Sequence, residues 1–125
     1  MADTLHHVSN LAELQTLFSN HTYVAVDFFA DWCGPCKVIA PVFANLSKQH
    51  SVGGILAFAK VDVDAAQDIA RAYNVSAMPT FMFFKDGTQV AVNGQALIQG
   101  ADAKSLKAAA NKLGGLARKR AGAAA

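Results

Sequence analysis

The chain contains two cysteines, and both lie in the segment Trp32-Cys33-Gly34-Pro35-Cys36-Lys37. Two sulfurs at this spacing near the start of a helix are close enough to form a disulfide, which another thiolate can open again. A C-x-x-C pair alone is a weak signal, because zinc half-sites share it. The complete hexapeptide favours redox chemistry.

Two other uses of the cysteine pair are less well supported. A closed structural zinc site needs four nitrogen or sulfur ligands, and Cys33 and Cys36 supply only two. The histidines His6, His7, His21 and His50 form no H-x3-5-H half-site and are expected on the surface. A purely structural disulfide would close a very short loop, which removes little entropy from the unfolded chain. We therefore expect no metal site.

The two cysteines are expected to play different roles. Cys33, at the start of the helix, faces unpaired backbone N–H groups and the positive end of the helix dipole, which favour its thiolate. Cys36 lies one turn further in and should be more shielded. The position therefore predicts that Cys33 attacks a substrate disulfide and that Cys36 resolves the mixed disulfide.

Asp27 is an isolated acid in the apolar run that covers residues 23–30. Resolution requires a deprotonated Cys36, and a carboxylate near the cysteines could accept that proton. The alternative is a structural carboxylate paired with Lys60. Lys60 itself could equally be a solvated lysine at the edge of a strand.

Length and composition are those of one soluble domain. At 125 residues the chain can bury a sizeable core, and it contains no run of about 18 apolar residues such as a membrane span needs. The N-terminus lacks the basic and apolar regions of a secretory signal, and the last residues are not an ER-retention signal. We expect a cytoplasmic protein, with the nucleus as the alternative. In both compartments thiols are kept reduced, and a cysteine pair is more often catalytic than structural.

The positive charges are concentrated at the C-terminus. Lys112, Arg118, Lys119 and Arg120 carry four of the eleven, which leaves residues 1–111 with a net charge of −2. A nucleic-acid surface on the folded domain would need clustered Lys and Arg, so no nucleic-acid partner is expected.

Periodicity and turn signals predict an α/β domain with element order β-α-β-α-β-α-β-β-α. The strands form a central mixed sheet between two layers of helices. The last helix, capped by Asp102, is expected to end at Gly114-Gly115. This divides the chain into a domain over residues 1–113 and a flexible basic tail or linker over 114–125.

With Trp32 to Lys37 at the start of the second helix, Asp27 in the preceding strand and Met78-Pro79-Thr80 opening the fourth strand, the chain resembles a thioredoxin. The resemblance covers about residues 5–113. Cys-Gly-Pro-Cys is the thioredoxin form of the motif, whereas protein disulfide isomerases usually have Gly-His and glutaredoxins Pro-Tyr between the cysteines. The Met-Pro-Thr-Phe string looks like the cytosolic eukaryotic branch.

The resemblance implies a thioredoxin fold, with five strands and four helices, and a monomeric protein disulfide reductase. It implies no bound cofactor, because electrons come from NADPH through thioredoxin reductase. Its implied substrates are proteins such as peroxiredoxins, methionine sulfoxide reductase and ribonucleotide reductase. Neither nucleic acid nor membrane is an implied partner.

The resemblance also assigns residues. Cys33 and Cys36 form the redox disulfide, Asp27 manages the proton of Cys36, and Lys60 lies near Asp27. Pro79 is the cis-proline facing the disulfide. The residues expected to contact substrate are Trp32, Gly34, Pro35, Met78, Pro79, Gly100 and Ala101.

Between Gly87 and Gly100 the chain is several residues longer than an ordinary thioredoxin, and residues 92–96 are the apparent excess. This leaves the pairing of the fifth strand open. Together with the basic tail, it resembles the N-terminal domain of larger fungal thioredoxin-like proteins. The alternative to a reductase is therefore a thioredoxin-like interaction module that serves a fused or partner domain.

Overall fold

The computed structural model describes residues 4–124, in which strands and helices alternate along the chain. The strands are β1 (Leu5–His7), β2 (Tyr23–Phe29), β3 (Leu56–Asp62), β4 (Thr80–Lys85), β5 (Thr88–Val90) and β6 (Leu97–Gln99). The helices are α1 (Leu11–Asn20), α2 (Gly34–His50), α3 (Gln67–Ala72) and α4 (Ala103–Ala124). None of these helices is both long and apolar enough to cross a membrane.

The strands form one mixed sheet in the order β1-β3-β2-β4-β5. Strands β1, β3 and β2 run parallel, and β4 pairs with β2 in the antiparallel direction. The central strand β2 is buried on both faces, as its continuous apolar run predicted. One face packs against α1 and α3 through residues such as Leu14 and Ile69, and the other against α2 and α4 through Phe43 and Leu106. The predicted three-layer α/β fold is confirmed.

Local capping explains where α1 begins. The side chain of Asn10 accepts a hydrogen bond from the Glu13 N–H at 2.9 Å, and the Glu13 carboxylate accepts one from the Ser9 N–H at 2.7 Å. The first contact satisfies a backbone donor that the first turn leaves unpaired, and the second ties the residue before the cap to the same turn. The first helix therefore begins at Leu11, directly after its cap at Asn10.

The fifth position of the sheet differs from the single strand expected there. It is divided between β5 and β6, which both pair with β4 in the antiparallel direction. Between them Asn93 and Gly94, with φ of 53° and 79°, form a two-residue turn closed by hydrogen bonds between Val92 and Gln95. Val92 is buried in the core under α2 and α4. The extra residues thus form a small anchored turn that interrupts the edge strand.

The predicted end of α4 at Gly114-Gly115 is wrong, and so is the flexible tail beyond it. The helix continues through both glycines to Ala124. A helical glycine costs about 1 kcal/mol relative to alanine, but tertiary packing outweighs that cost. Gly114 is buried, and Ala117 is fully buried in the core. Residues 114–124, which were assigned to a linker, therefore continue α4, and Ala125 lies outside the described residues.

His50, expected on the surface, is only 8% exposed at the end of α2. Its Nδ1 lies 3.2 Å from Nη1 of Arg118 in α4. Because a guanidinium can only donate, Nδ1 is the acceptor and the ring is neutral. The C-terminal part of α4 therefore covers the end of α2.

Candidate active site

Cys33 and Cys36 are joined by a disulfide at the start of α2, with their Cα atoms 5.3 Å apart. Cys33 is the N-cap residue of the helix, and its Sγ accepts a hydrogen bond from the Cys36 N–H at 3.1 Å. Pro35 stands in the first turn, where its missing N–H costs no hydrogen bond. The helix start thus places one sulfur at its positive end and the other one turn inside.

Exposure alone does not distinguish the two cysteines, because each is 4% exposed in the disulfide form. Their surroundings differ. Sγ of Cys33 lies 3.6 Å from the carbonyl oxygen of Met78. This distance places the loop before β4 directly beside the sulfur of Cys33, and the Met78–Pro79 peptide bond in that loop is cis, as expected.

Asp27 is the buried acid of the site. It is 1% exposed, and neither oxygen of its carboxyl group has a hydrogen-bond partner among the described residues. Burial raises the pKa of Asp27 to about 7, although the charge of Lys60 acts in the opposite direction. Near neutral pH this carboxyl group can therefore both hold and release a proton.

Lys60 lies beside Asp27 because β2 and β3 are paired in register at these two residues. Its side chain is partly buried, and Nζ lies 4.5 Å from the centre of the Phe29 ring. Lys60 and Cys36 both line a small cavity of about 170 Å³. The lysine expected near the acid is thus held between strand and helix rather than solvated at an edge.

Two large apolar side chains that flank the cysteine motif in sequence are exposed, and we call them the apolar rim. Trp32 is 69% exposed and Val38 is 72% exposed, which is unusual for large apolar side chains. The indole Nε1 of Trp32 donates a hydrogen bond of 2.9 Å to the carboxylate of Asp64, in the loop after β3. This bond holds the exposed ring in one orientation.

The other residues expected at the rim come from two places. Gly34 and Pro35 are exposed at the start of α2, and Met78 is half-buried. Gly100 donates a backbone hydrogen bond of 2.9 Å to the carbonyl of Pro79, which brings the loop with Ala101 to the same side as the cis bond. Gly100 has φ of 86°, a left-handed conformation that favours glycine. The fold therefore brings the predicted rim residues to one end of the sheet.

Sequence reasoning missed two residues of this surface. Asp64 contacts Trp32 across 32 positions in sequence, and no local pattern identifies such a partner. Val38 is an apolar residue of α2, but its side chain is exposed rather than packed in the core. Its place in the helix, two residues after Cys36, was the available signal. Among residues 4–124, no group of three or more His, Cys, Asp or Glu side chains could hold a metal ion.

A disulfide at a helix start, facing a cis-proline loop on this sheet, defines a dithiol–disulfide oxidoreductase. The chain belongs to the thioredoxin family, whose model, described as Thioredoxin, matches residues 6–112. It is 66% identical over 116 residues to a thioredoxin-like protein of Fusarium culmorum, covering 93% of this chain and 96% of the relative. It is 54% identical over 124 residues to a thioredoxin of Neurospora crassa, covering 99% and 98%.

Solved structures agree with the sequence relatives. The crystal structure of Malassezia sympodialis thioredoxin superposes with a TM-score of 0.77 at 35% identity, covering 90% of this chain and 93% of that one. Reduced Schistosoma mansoni thioredoxin gives a TM-score of 0.75 at 39% identity, with coverages of 87% and 97%. These two fungal relatives are about as long as this chain.

Proposed function

We propose that this thioredoxin-family chain is a general protein disulfide reductase that receives its electrons from NADPH through thioredoxin reductase. The observation that carries the proposal is the Cys33–Cys36 disulfide at the start of α2, flanked in sequence by the exposed apolar side chains of Trp32 and Val38. A rim of this kind suits protein substrates, because an extended segment can cover it while its disulfide reaches the sulfur. No cofactor needs to be bound.

The reaction starts from the reduced dithiol. The thiolate of Cys33 attacks one sulfur of the substrate disulfide, so a mixed disulfide forms and the other substrate sulfur leaves as a thiolate. The N-cap position of Cys33 and the Cys36 N–H at 3.1 Å both stabilise negative charge on the attacking sulfur. Cys33 is therefore the nucleophile.

Resolution transfers the remaining bond. Cys36 loses its proton, attacks Sγ of Cys33 and releases the second substrate thiolate, so two electrons pass to the substrate and the disulfide of the enzyme forms. Asp27 is the proton acceptor in this step, since its pKa of about 7 matches the operating pH. Lys60, next to Asp27, favours the ionised acid.

Substrate is held by the rim and by backbone groups of the cis-proline loop. The carbonyl oxygen of Met78, close to Cys33, is placed to pair with an extended substrate strand. The residues that we assign to substrate contact are Trp32, Gly34, Pro35, Met78, Pro79, Gly100 and Ala101.

We assign the protein to the cytoplasm, with the nucleus as the alternative. Disulfide-forming enzymes such as peroxiredoxins, methionine sulfoxide reductase and ribonucleotide reductase are the proposed substrates. Thiols in these compartments are normally kept reduced, so Cys33 and Cys36 are expected to start each cycle as a dithiol.

The test is insulin reduction in the presence of NADPH and thioredoxin reductase. We expect NADPH consumption that depends on the chain and is lost in Cys33→Ser. Val38→Ala should raise the KM for insulin. The control is Leu116→Ala, which truncates an exposed apolar side chain on α4 and should leave the KM unchanged. An interaction module would bind partners without consuming NADPH, and that result would reject the reductase.

A further inference from the structure

The charges of this chain are segregated between α4 and the rest of the molecule. The helix carries six of the eleven basic residues and none of the nine acids. The remaining residues hold the other five bases and all nine acids, a net charge of −4. A solvated helix usually mixes both signs, so this distribution needs an explanation.

Helix stability does not explain it. Basic residues near the C-terminus of a helix interact favourably with the dipole, but Lys104 and Lys107 lie in the first two turns, where positive charge is unfavourable. They are also three positions apart, a spacing at which like charges repel. Among the described residues, Lys107, Lys112, Lys119 and Arg120 form no salt bridge. The cations are therefore available to a partner.

The basic residues share one side of the helix. Lys104, Lys107, Lys112 and Lys119 are exposed on the side of the helix opposite the buried Leu106, Leu113 and Ala117. Arg118 lies on the same side and is also exposed, but its guanidinium contacts His50 of α2. Because the apolar side is packed against the sheet, α4 has no free apolar face to insert into a lipid surface.

A groove of about 460 Å³ lies next to this basic side, between α2 and α4. Its walls carry side-chain amides and one cation, above an apolar floor, and the lining residues are Val42, Asn45, Leu46, Gln49, Lys107 and Asn111. Amide N–H groups and a lysine are donors for carboxylates and for peptide carbonyls. The floor offers room for an apolar side chain.

We propose that the groove between α2 and α4, with the basic side of α4, binds an acidic segment of a partner protein, in which an apolar residue is flanked by Asp and Glu. The negative charge on the rest of the molecule favours a short acidic segment over a nucleic acid or an anionic membrane. Those larger polyanions would extend well beyond the helix, over the acidic body. The described part of α4 and of α2 also offers no aromatic side chain in the groove for stacking on bases.

The site is separate from the disulfide. Residues 42–49 of α2 lie about 12 to 22 Å along the helix from its N-terminus, at 1.5 Å per residue. A partner bound there leaves Cys33 and the rim open. The proposal goes beyond the proposed reductase activity and does not depend on it.

The experiment measures fluorescence anisotropy of a labelled peptide with a central Leu between Glu and Asp residues. We expect binding that weakens with salt, is lost when the acids are replaced by Gln and Asn, and weakens when Leu is replaced by Ser. Lys107→Glu with Lys112→Glu should weaken binding by roughly tenfold or more. The control is the double variant Arg71→Glu with Lys85→Glu, which makes an equal charge change at exposed positions outside α4. It should change the affinity for the peptide by no more than about twofold.

Three results would overturn the proposal. The two double variants could lose affinity equally, which would indicate only the overall charge of the molecule. A duplex RNA or a phosphatidylserine vesicle could bind more tightly than the acidic peptide and lose affinity on the same substitutions. The third such result is that none of the three probes (the acidic peptide, the duplex RNA and the vesicle) binds at all. Insulin reduction, measured beside these titrations, should be unchanged in both double variants, so that a failure of binding is separable from a failure of catalysis.

Discussion

Gly114 in α4 stands directly over the imidazole of His50 in α2. A Cβ atom at position 114 would lie 2.3 Å from Nδ1 and 2.9 Å from Cγ of His50. The backbone of α4 therefore approaches α2 as closely as it does only because position 114 has no side chain.

Gly114→Ala is expected to destabilise the protein by about 1 to 3 kcal/mol, because the methyl group must displace the ring or separate the helices. Gly115→Ala is the matched control, since a Cβ there meets nothing within 4 Å. It should stabilise the helix by up to about 1 kcal/mol through higher helix propensity. Urea unfolding of both variants gives the comparison. Combining Gly114→Ala with His50→Ala should recover part of the loss, and a strictly additive double variant would contradict the contact.

Truncation after Leu113 is expected to lower the melting temperature by several degrees, because it removes the fully buried Ala117 and uncovers His50. Truncation after Arg120 is the control and should have little effect, since Gly122 and Ala123 are exposed and Ala121 is only partly buried. Thermal melts followed by circular dichroism distinguish the two. Equal melting temperatures for both truncated chains and the full chain would mean that the end of α4 does not pack.

His50 should make stability decrease in mildly acidic solution. Burial lowers the pKa of His50, Arg118 lowers it further, and the Asn111 side chain acts in the opposite direction. Below its usual value of 6.5 the unfolded chain therefore binds the proton more readily than the native state does, so the free energy of unfolding decreases as pH falls. Unfolding at pH about 7.5 and about 5.5 should show this slope, and His50→Gln should reduce it. The measurement belongs in an Asp27→Asn background, because Asp27 has the opposite dependence.

Asp27→Asn is expected to stabilise the protein near pH 8 and to slow resolution of the mixed disulfide. The native state holds the proton of Asp27 between the usual value of 3.8 and about 7. The contribution of Asp27 to the free energy of unfolding is therefore fully present below pH 3.8 and is lost as pH rises through about 7. The total loss is on the order of 4 kcal/mol. The neutral amide avoids this loss but cannot accept a proton from Cys36. Urea melts and single-turnover reduction of a model disulfide measure the two effects. Unchanged turnover would leave Asp27 without a catalytic role.

The two cysteine variants should fail in different ways. Cys33→Ser removes the attacking thiol and should abolish reduction, whereas Cys36→Ser should attack once and remain joined to its substrate. Non-reducing electrophoresis with an oxidised protein substrate separates the outcomes. A trapped complex with Cys33→Ser instead would reverse the assignment of the two roles.

The fold and the redox pair were predictable because their signals are local. The spacing of Cys33 and Cys36 and the apolar run of β2 each lie in one short segment of the chain and specify their own surroundings. The end of α4 was mispredicted because of Gly114 and Gly115. Glycine is typical both of a helix end and of a close approach between two helices, and the sequence alone does not distinguish these uses. The bond from Trp32 to Asp64 and the burial of His50 depend on tertiary contacts across 32 and 68 positions, which no local pattern reports.

The interrupted edge of the sheet also bears on self-association. At one side the outermost positions are two strands of three residues each, β5 and β6, with the Asn93-Gly94 turn between them. At the other side, β1 is three residues long as well. A long, unbroken row of backbone donors and acceptors would allow a strand from another chain to add to the sheet. Neither border offers such a row, so the fold itself discourages aggregation through its sheet edges during repeated cycles of oxidation and reduction.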